Sequence, residues 1–353
     1  MANKDILQAL QKRASIRVSR RLLAANGFPK GSGWEQITEK LKDKHVAAKA
    51  DYVGLQDALR ELLIVGDKNI RIFKLTNADA KALRDRIAAS RINQNSVFTT
   101  HFPLPVPDNI LHGLPAQAPI PVAKFQSPNV AGVLFSSVMV VKQREKILAA
   151  KVGAALAADY EEIIGVKKVK IQTFDALMMS NKSNYAYILT DAYQDQSQLM
   201  RLGLQSAMTN AVNKFAEAKV INGSVNLFPI IQPLYESDTG FVKTLFWTTT
   251  TSSGKHEWMR GSGVCLREEI AHKAAMGALG GGFMTYGIEL EWGLEEVESY
   301  TPRPMLSVVG IYRMLHETKP HLGDATVWGC ASLSEFEFVL KELMVHVSGS
   351  KTI

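Results

Sequence analysis

The chain reads as α+β: an N-terminal helical, winged-helix-like domain followed by a mixed, largely antiparallel α+β domain. Three observations predict this. Helical periodicities fill the first sixty-odd residues and lead into a β-prone turn region. A proline-rich stretch follows. Beyond it, hairpin-spaced strand patterns alternate with separate helices.

The elements follow in chain order. Ile6, Ala9 and Leu10 form a short apolar stripe. Val18, Leu22 and Ala25 recur at i, i+4 and i+7, and this helix meets Gly27 and Pro29, a usual stop. Ser32-Gly33-Trp34-Glu35 reads as a capping box opening a helix with Trp34, Ile37 and Leu41 inward. Asp51 caps a helix whose Leu55, Ala58, Leu59 and Leu62 share a face. Two β-prone runs, Leu62–Val65 and Ile70–Leu75, flank Gly66-Asp67-Lys68-Asn69, which predicts a hairpin, the wing. Thr76 or Asn77 caps a closing helix to about Ser90.

Six of the 13 prolines fall between Phe102 and Val122. Proline breaks helices and cannot donate to a strand ladder, so an extended connector is expected over 96–124, or an ordered loop lying on the second domain. This places the domains at 1–95 and 125–353. Strands are expected at Ala131–Val141, Lys168–Met178, Tyr185–Thr190, Asn226–Tyr235, Val242–Thr250, Met284–Trp292 and Met305–Leu315. Helices are expected at Glu145–Glu162, Gln196–Ala218, Arg267–Leu279 and Glu335–Val345, the last behind Ser332/Ser334 caps.

Charge is unevenly placed. The first hundred residues hold 19 Lys+Arg against 10 Asp+Glu, and the remainder 22 against 24. A positive excess at one end is an electrostatic footprint for a polyanion. Lys12, Arg13, Arg17, Arg20 and Arg21 fall within ten residues, and the four arginines share one helical arc away from Val18, Leu22 and Ala25. Guanidinium forks suit phosphate oxygens. Lys68, Arg71 and Lys74 add a cluster on the expected wing. On the helix expected to enter a groove, Gln56 and Arg60 can read base edges, whereas Asp57 and Glu61 oppose phosphate. The bland alternative is a solvated charged face with no partner.

Catalytic signals are weak. Gly277, Gly280, Gly281 and Gly282 follow a helix and precede a strand, the reverse of a phosphate loop, and read as a helix C-cap and turn. His316-Glu317-Thr318-Lys319-Pro320-His321 lacks the zinc-protease spacing. Glu289 and Glu291 share a strand face and could hold Mg²⁺, or form a solvated or docking edge. Cys265 and Ser262 lack a nucleophile signature, and Cys265 and Cys330 form no CxxC pair. Phe246, Trp247 and Trp258 lie on an expected hairpin, where aromatic side chains fill a core or stack single-stranded bases.

The expected function is nucleic-acid binding, with DNA favoured over RNA and duplex held through its phosphates by the N-terminal domain. The C-terminal domain would serve self-association or a protein partner. The alternatives are a metal-dependent enzyme acting on nucleic acid and a structural subunit of a larger assembly. No cofactor is implied and no catalytic residue is assigned. The N-terminus has no apolar signal region and no apolar run spans a bilayer, so a cytoplasmic location without membrane contact is expected.

Overall fold

The computed structural model describes residues 3–148, 160–193, 196–251 and 253–349. Helices dominate the N-terminal region, in the order α1 (Asn3–Arg13), α2 (Ile16–Ala25), α3 (Trp34–Lys40), α4 (Lys44–Ala47) and α5 (Tyr52–Val65). Strand β1 (Lys68–Lys74) precedes α6 (Asn77–Ala89), α7 (Val97–His101) and α8 (Asp108–Gly113). Strands β2 (Gln117–Gln126), β3 (Val130–Ile147), β4 (Ile163–Ser180) and β5 (Tyr185–Asp191) lead to α9 (Gln198–Ala216) and the short α10 (Ile231–Glu236). Next come β6 (Phe241–Thr249), β7 (Gly254–Trp258), α11 (Ile270–Leu279), β8 (Phe283–Glu291) and β9 (Met305–Val309). A 3-10 turn at Tyr312–His316, β10 (Ala325–Trp328) and α12 (Leu333–Gly349) complete the order.

Among the described residues ten strands form one sheet, ordered β2-β3-β4-β5-β1-β10-β9-β8-β6-β7, and each of these pairings is antiparallel. The α+β class therefore holds, with a helical N-terminal region and a large antiparallel sheet.

Local chemistry accounts for many boundaries. The side chains of Asp51 and Thr76 accept from backbone N–H groups at the starts of α5 and α6. Ser332 does the same for Glu335 at the start of α12. Gly280 adopts the left-handed conformation after α11, so the glycine cluster is a helix C-cap and turn as expected. At α3 the expected box differs: Gly33 holds the N-cap position without a side-chain bond.

Several expectations are corrected. There is no wing hairpin, because Leu62–Val65 is the last turn of α5. β1 instead pairs with β5 from Lys68↔Asp191 to Lys74↔Tyr185, and with β10 from Lys68↔Val327 to Ile70↔Ala325. The sheet thus runs across the boundary drawn at 96–124. That stretch is also not simply extended, since it carries α8 and the start of β2. β2 is an edge strand that admits Pro119 and Pro121 beside register shifts in its pairing with β3. Phe228–Glu236 is helical rather than a strand. β3 runs through Glu145 to Ile147, so the helix expected from Glu145 does not begin there, and much of its range lies outside the described residues.

Two apolar clusters cover the sheet. The larger joins α1, α2, α5, α10 and α12 to one face, through residues such as Leu10, Leu22, Leu59, Leu234 and Phe336 against Ile70, Leu189, Leu245, Leu290 and Val308. On the other face, α6 and α9 place Leu83, Ile87, Met208 and Val212 on Phe73, Phe135, Leu177 and Ile188. The second cluster is built on β1, β3, β4 and β5. Within the described residues, it takes nothing from β6 to β9.

Candidate nucleic-acid interface

Arg13, Arg20 and Arg21 of the N-terminal cluster are drawn into the fold, while Lys12 and Arg17 stay exposed. Lys12 Nζ lies 2.8 Å from Asp108, in an exposed pair. Arg13 lies 2.6 Å from buried Asp191 and over the ring of Phe174. Arg17 donates to the Arg303 carbonyl and lies 3.8 Å from Glu291, with half its side chain still exposed. Arg20 packs over Tyr300 and donates to its hydroxyl at 3.4 Å. Arg21, 5% exposed, forms a fork with both oxygens of Glu335 at 3.0 and 3.1 Å and also donates to the Gly329 carbonyl. The basic arc of α2 therefore faces acids and carbonyls contributed by residues near 300 and 335.

Of the wing cluster, Lys68 is 1% exposed. It donates to Asp191 at 2.6 Å and to the carbonyls of Leu63 and Phe174. Arg71 is half-buried over Phe73 and donates to Ser224 at 3.3 Å. Lys74 is exposed. Arg60 pairs with Asp57 one turn back on α5, and Gln56 is half-buried.

Asp191 is thus the hub of a buried charge cluster. Burial acts to raise its carboxyl, but Arg13 and Lys68 more than offset this and hold it below the ordinary range. Asp175 lies beside it, accepting from the Asp191 backbone N–H at 2.9 Å and from Thr173. Burial, then the Asp191 charge, push Asp175 up to about 6. One cluster so holds two carboxylates with opposite shifts. The geometry ties β1, β4, β5 and α1 together.

The carboxylates considered for metal are also engaged. Glu289 accepts from Thr244 at 2.6 Å and from Ser307 at 3.0 Å. Glu291, 3% exposed, accepts from the Gly263 N–H and from Arg303. No group of three or more His, Cys, Asp or Glu able to hold a metal occurs among the described residues. His272 is buried between the Tyr235 hydroxyl, 2.9 Å from Nε2, and the Glu257 carboxylate at Nδ1, a satisfied core histidine that ties β7 to α11. The Cys265 thiol accepts from the Val242 N–H at 3.3 Å.

The open basic surface lies elsewhere, on the β3–β4 pair. These strands stay in register from Val130↔Ser180 to Ile147↔Ile163. The described pairing of β2 with β3 ends at Val138, and that of β5 with β4 begins at Ala176. From Met139↔Ile171 outward the two strands continue as a two-stranded ribbon about 30 Å long at ~3.4 Å per residue. Directly paired residues share a face. One face carries Val140/Lys170, Lys142/Lys168, Arg144/Val166 and Lys146/Ile164. Lys142, Arg144, Lys146 and Lys168 are exposed, as are Val140, Ile164 and Val166. Lys170 is turned to the carbonyls of His112 and Leu114. The carboxylate on the ribbon itself, Glu145, lies on the opposite face, against Lys167. Lys146 reaches Glu162 at 3.4 Å at the end of the ribbon.

Sequence reading missed this arm because it ended its strands at Val141 and Lys168. The signal was present: cations alternate at Lys142, Arg144 and Lys146, and β-branched residues continue through Ile163, Ile164, Val166 and Val169. No family model, curated protein or solved structure matches this chain.

Proposed function

We propose that the protein binds nucleic acid, with duplex DNA favoured, and that the β3–β4 ribbon makes the main contact with the phosphates. One observation carries this reading. A projecting ribbon presents Lys142, Arg144, Lys146 and Lys168 on one exposed face, with no carboxylate among the paired residues of that face and Glu162 lying 3.4 Å from Lys146 at its end. A two-stranded ribbon fits the wide major groove of B-form DNA, whereas the major groove of A-form RNA is too narrow for it. Val140, Val166 and Ile164 lie between the cations and give apolar surface for thymine methyl groups and sugars. Within the N-terminal region, Arg17 and Lys74 remain accessible and could extend the footprint.

The test is salt-dependent binding of fluorescent duplex DNA to the full chain. Replacing Lys142, Arg144, Lys146 and Lys168 together by Gln should flatten the slope of log K against log salt by roughly 0.9 per lost phosphate contact. These side chains are exposed, so the variant should melt like the wild type. A folded variant with an unchanged slope would sink the reading.

A further inference from the structure

The last helix, α12, does not close onto the sheet along its whole length. A cleft of about 570 Å³ lies between α12, strand β5 and the turn that joins β4 to β5. That volume is in the range of small-molecule sites. Its apolar walls come from Val130 of β3, the rings of Tyr185 and Tyr187 on β5, and Phe338, Leu340 and Met344 of α12. The two tyrosines line the same side because alternate residues of a strand share a face.

The polar groups of the cleft select one kind of ligand. Tyr187 is 3% exposed, yet its hydroxyl makes no hydrogen bond among the described residues. A buried tyrosine hydroxyl ordinarily has a partner, because leaving it without one costs desolvation. Burial, then the neighbouring Tyr185, push the Tyr187 phenol up, so at neutral pH it keeps its proton and can donate. Lys182 and Lys341 also line the cleft, and both are exposed. Lys182 donates to the side-chain oxygen of Asn129 at 2.7 Å. Lys341 follows Glu337 by four residues on α12, the spacing of a helical ion pair. That pair does not form, because the two Glu337 oxygens accept from Ser127 and from Asn129. Among the described residues Lys341 has no ion-pair partner. Glu337 keeps its charge, but two lysines against one glutamate leave the lining net positive. The carboxylate is thus occupied, while Tyr187 and Lys341 remain open donors.

We infer that this cleft binds a small molecule with an apolar body and a single carboxylate. The body lies against Val130, Phe338 and Met344, and the carboxylate accepts from the Tyr187 hydroxyl and faces Lys341. A carboxylate suits a phenol donor and an ammonium at once. An amine would bring further donors to a cleft whose own carboxylate is already bonded twice. None of Lys142, Arg144, Lys146 and Lys168 lines the cleft, so it is independent of the nucleic-acid contact.

The experiment is calorimetric titration of the full chain with decanoate and with naphthoate, an aliphatic and an aromatic carboxylate, each beside its alcohol as the neutral counterpart. At least one acid should bind, roughly tenfold or more tighter than its alcohol. Tyr187→Phe removes only the hydroxyl, so it should melt like the wild type and weaken that acid roughly tenfold. Lys341→Gln should weaken it about two- to fivefold. Lys341 is exposed, so this variant keeps the test available whatever Tyr187→Phe does to the fold. No binding of either acid, equal affinity for acid and alcohol, or wild-type affinity in the folded variants would each overturn the carboxylate site. Duplex DNA titrated in parallel reports on the ribbon alone, so the loss of one reading leaves the other standing.

Discussion

Arg21 and Glu335 show what single residues do in this chain. Both are largely buried, and their fork joins α2 to the N-terminus of α12. Removing one partner of such a pair leaves an uncompensated buried charge. Glu335→Ala should therefore lower stability by about 3–5 kcal/mol, read from chemical denaturation, and additionally frees the Ala331 N–H that Glu335 accepts. A loss below about 1 kcal/mol would mean that the pair behaves as a surface bridge. Asp175 gives a prediction in pH. Its native value near 6 lies above the unfolded value of about 3.9, so the native state binds more protons between them. Its contribution thus falls as pH rises from about 4 to about 6 and is flat above. Asp175→Asn should remove that decline and gain on the order of 1 kcal/mol at neutral pH, measured by denaturation across the window. Asp191 has the opposite sign: its folded value is depressed, so its stabilisation is lost as pH falls through that value.

At the scale of elements, the ribbon makes a sharper prediction than net charge does. Lys167 and Lys168 are neighbours in sequence and point to opposite faces because strand side chains alternate. Lys168→Ala should flatten the DNA salt slope by roughly 0.9, whereas Lys167→Ala, on the Glu145 face, should change it little. Equal effects would show that the arm acts as a diffuse charge rather than through one face. The helix caps at Asp51, Thr76 and Ser332 were legible because capping is local: a side chain and an N–H two or three residues away decide it. The hairpin expected at Leu62–Leu75 was not, because Leu62–Val65 end a buried helix whereas Lys68–Lys74 form a central strand. Periodicity over four residues cannot separate those outcomes.

For the whole molecule, β1 matters most. It lies between β5 and β10, with partners more than a hundred and more than two hundred and fifty residues along the chain. A fragment of residues 1–95 would expose both edges of β1 and the apolar face of α5, so it should not fold alone. The full chain should melt in one transition seen equally by near- and far-ultraviolet circular dichroism. A well-dispersed amide NMR spectrum from the isolated fragment would contradict this. No helix among the described residues is long and apolar enough to cross a membrane.

By itself the sequence determined the α+β class, the helical N-terminal region, the cores of β3 to β6 and β8, and the final helix. These follow from local hydrophobic period and capping chemistry. Tertiary structure alone decided the destiny of the charges. Arg13, Arg21 and Lys68 stand in the sequence as a basic surface, but they meet Asp191 and Glu335 from distant segments and become internal ties. The ribbon cations Lys142, Arg144, Lys146 and Lys168 stay exposed, although Lys146 reaches Glu162 at the ribbon's end. The physical reason is that a charge is free or spent according to what lies within a few ångströms of it, and for long-range pairs only the folded chain sets that distance.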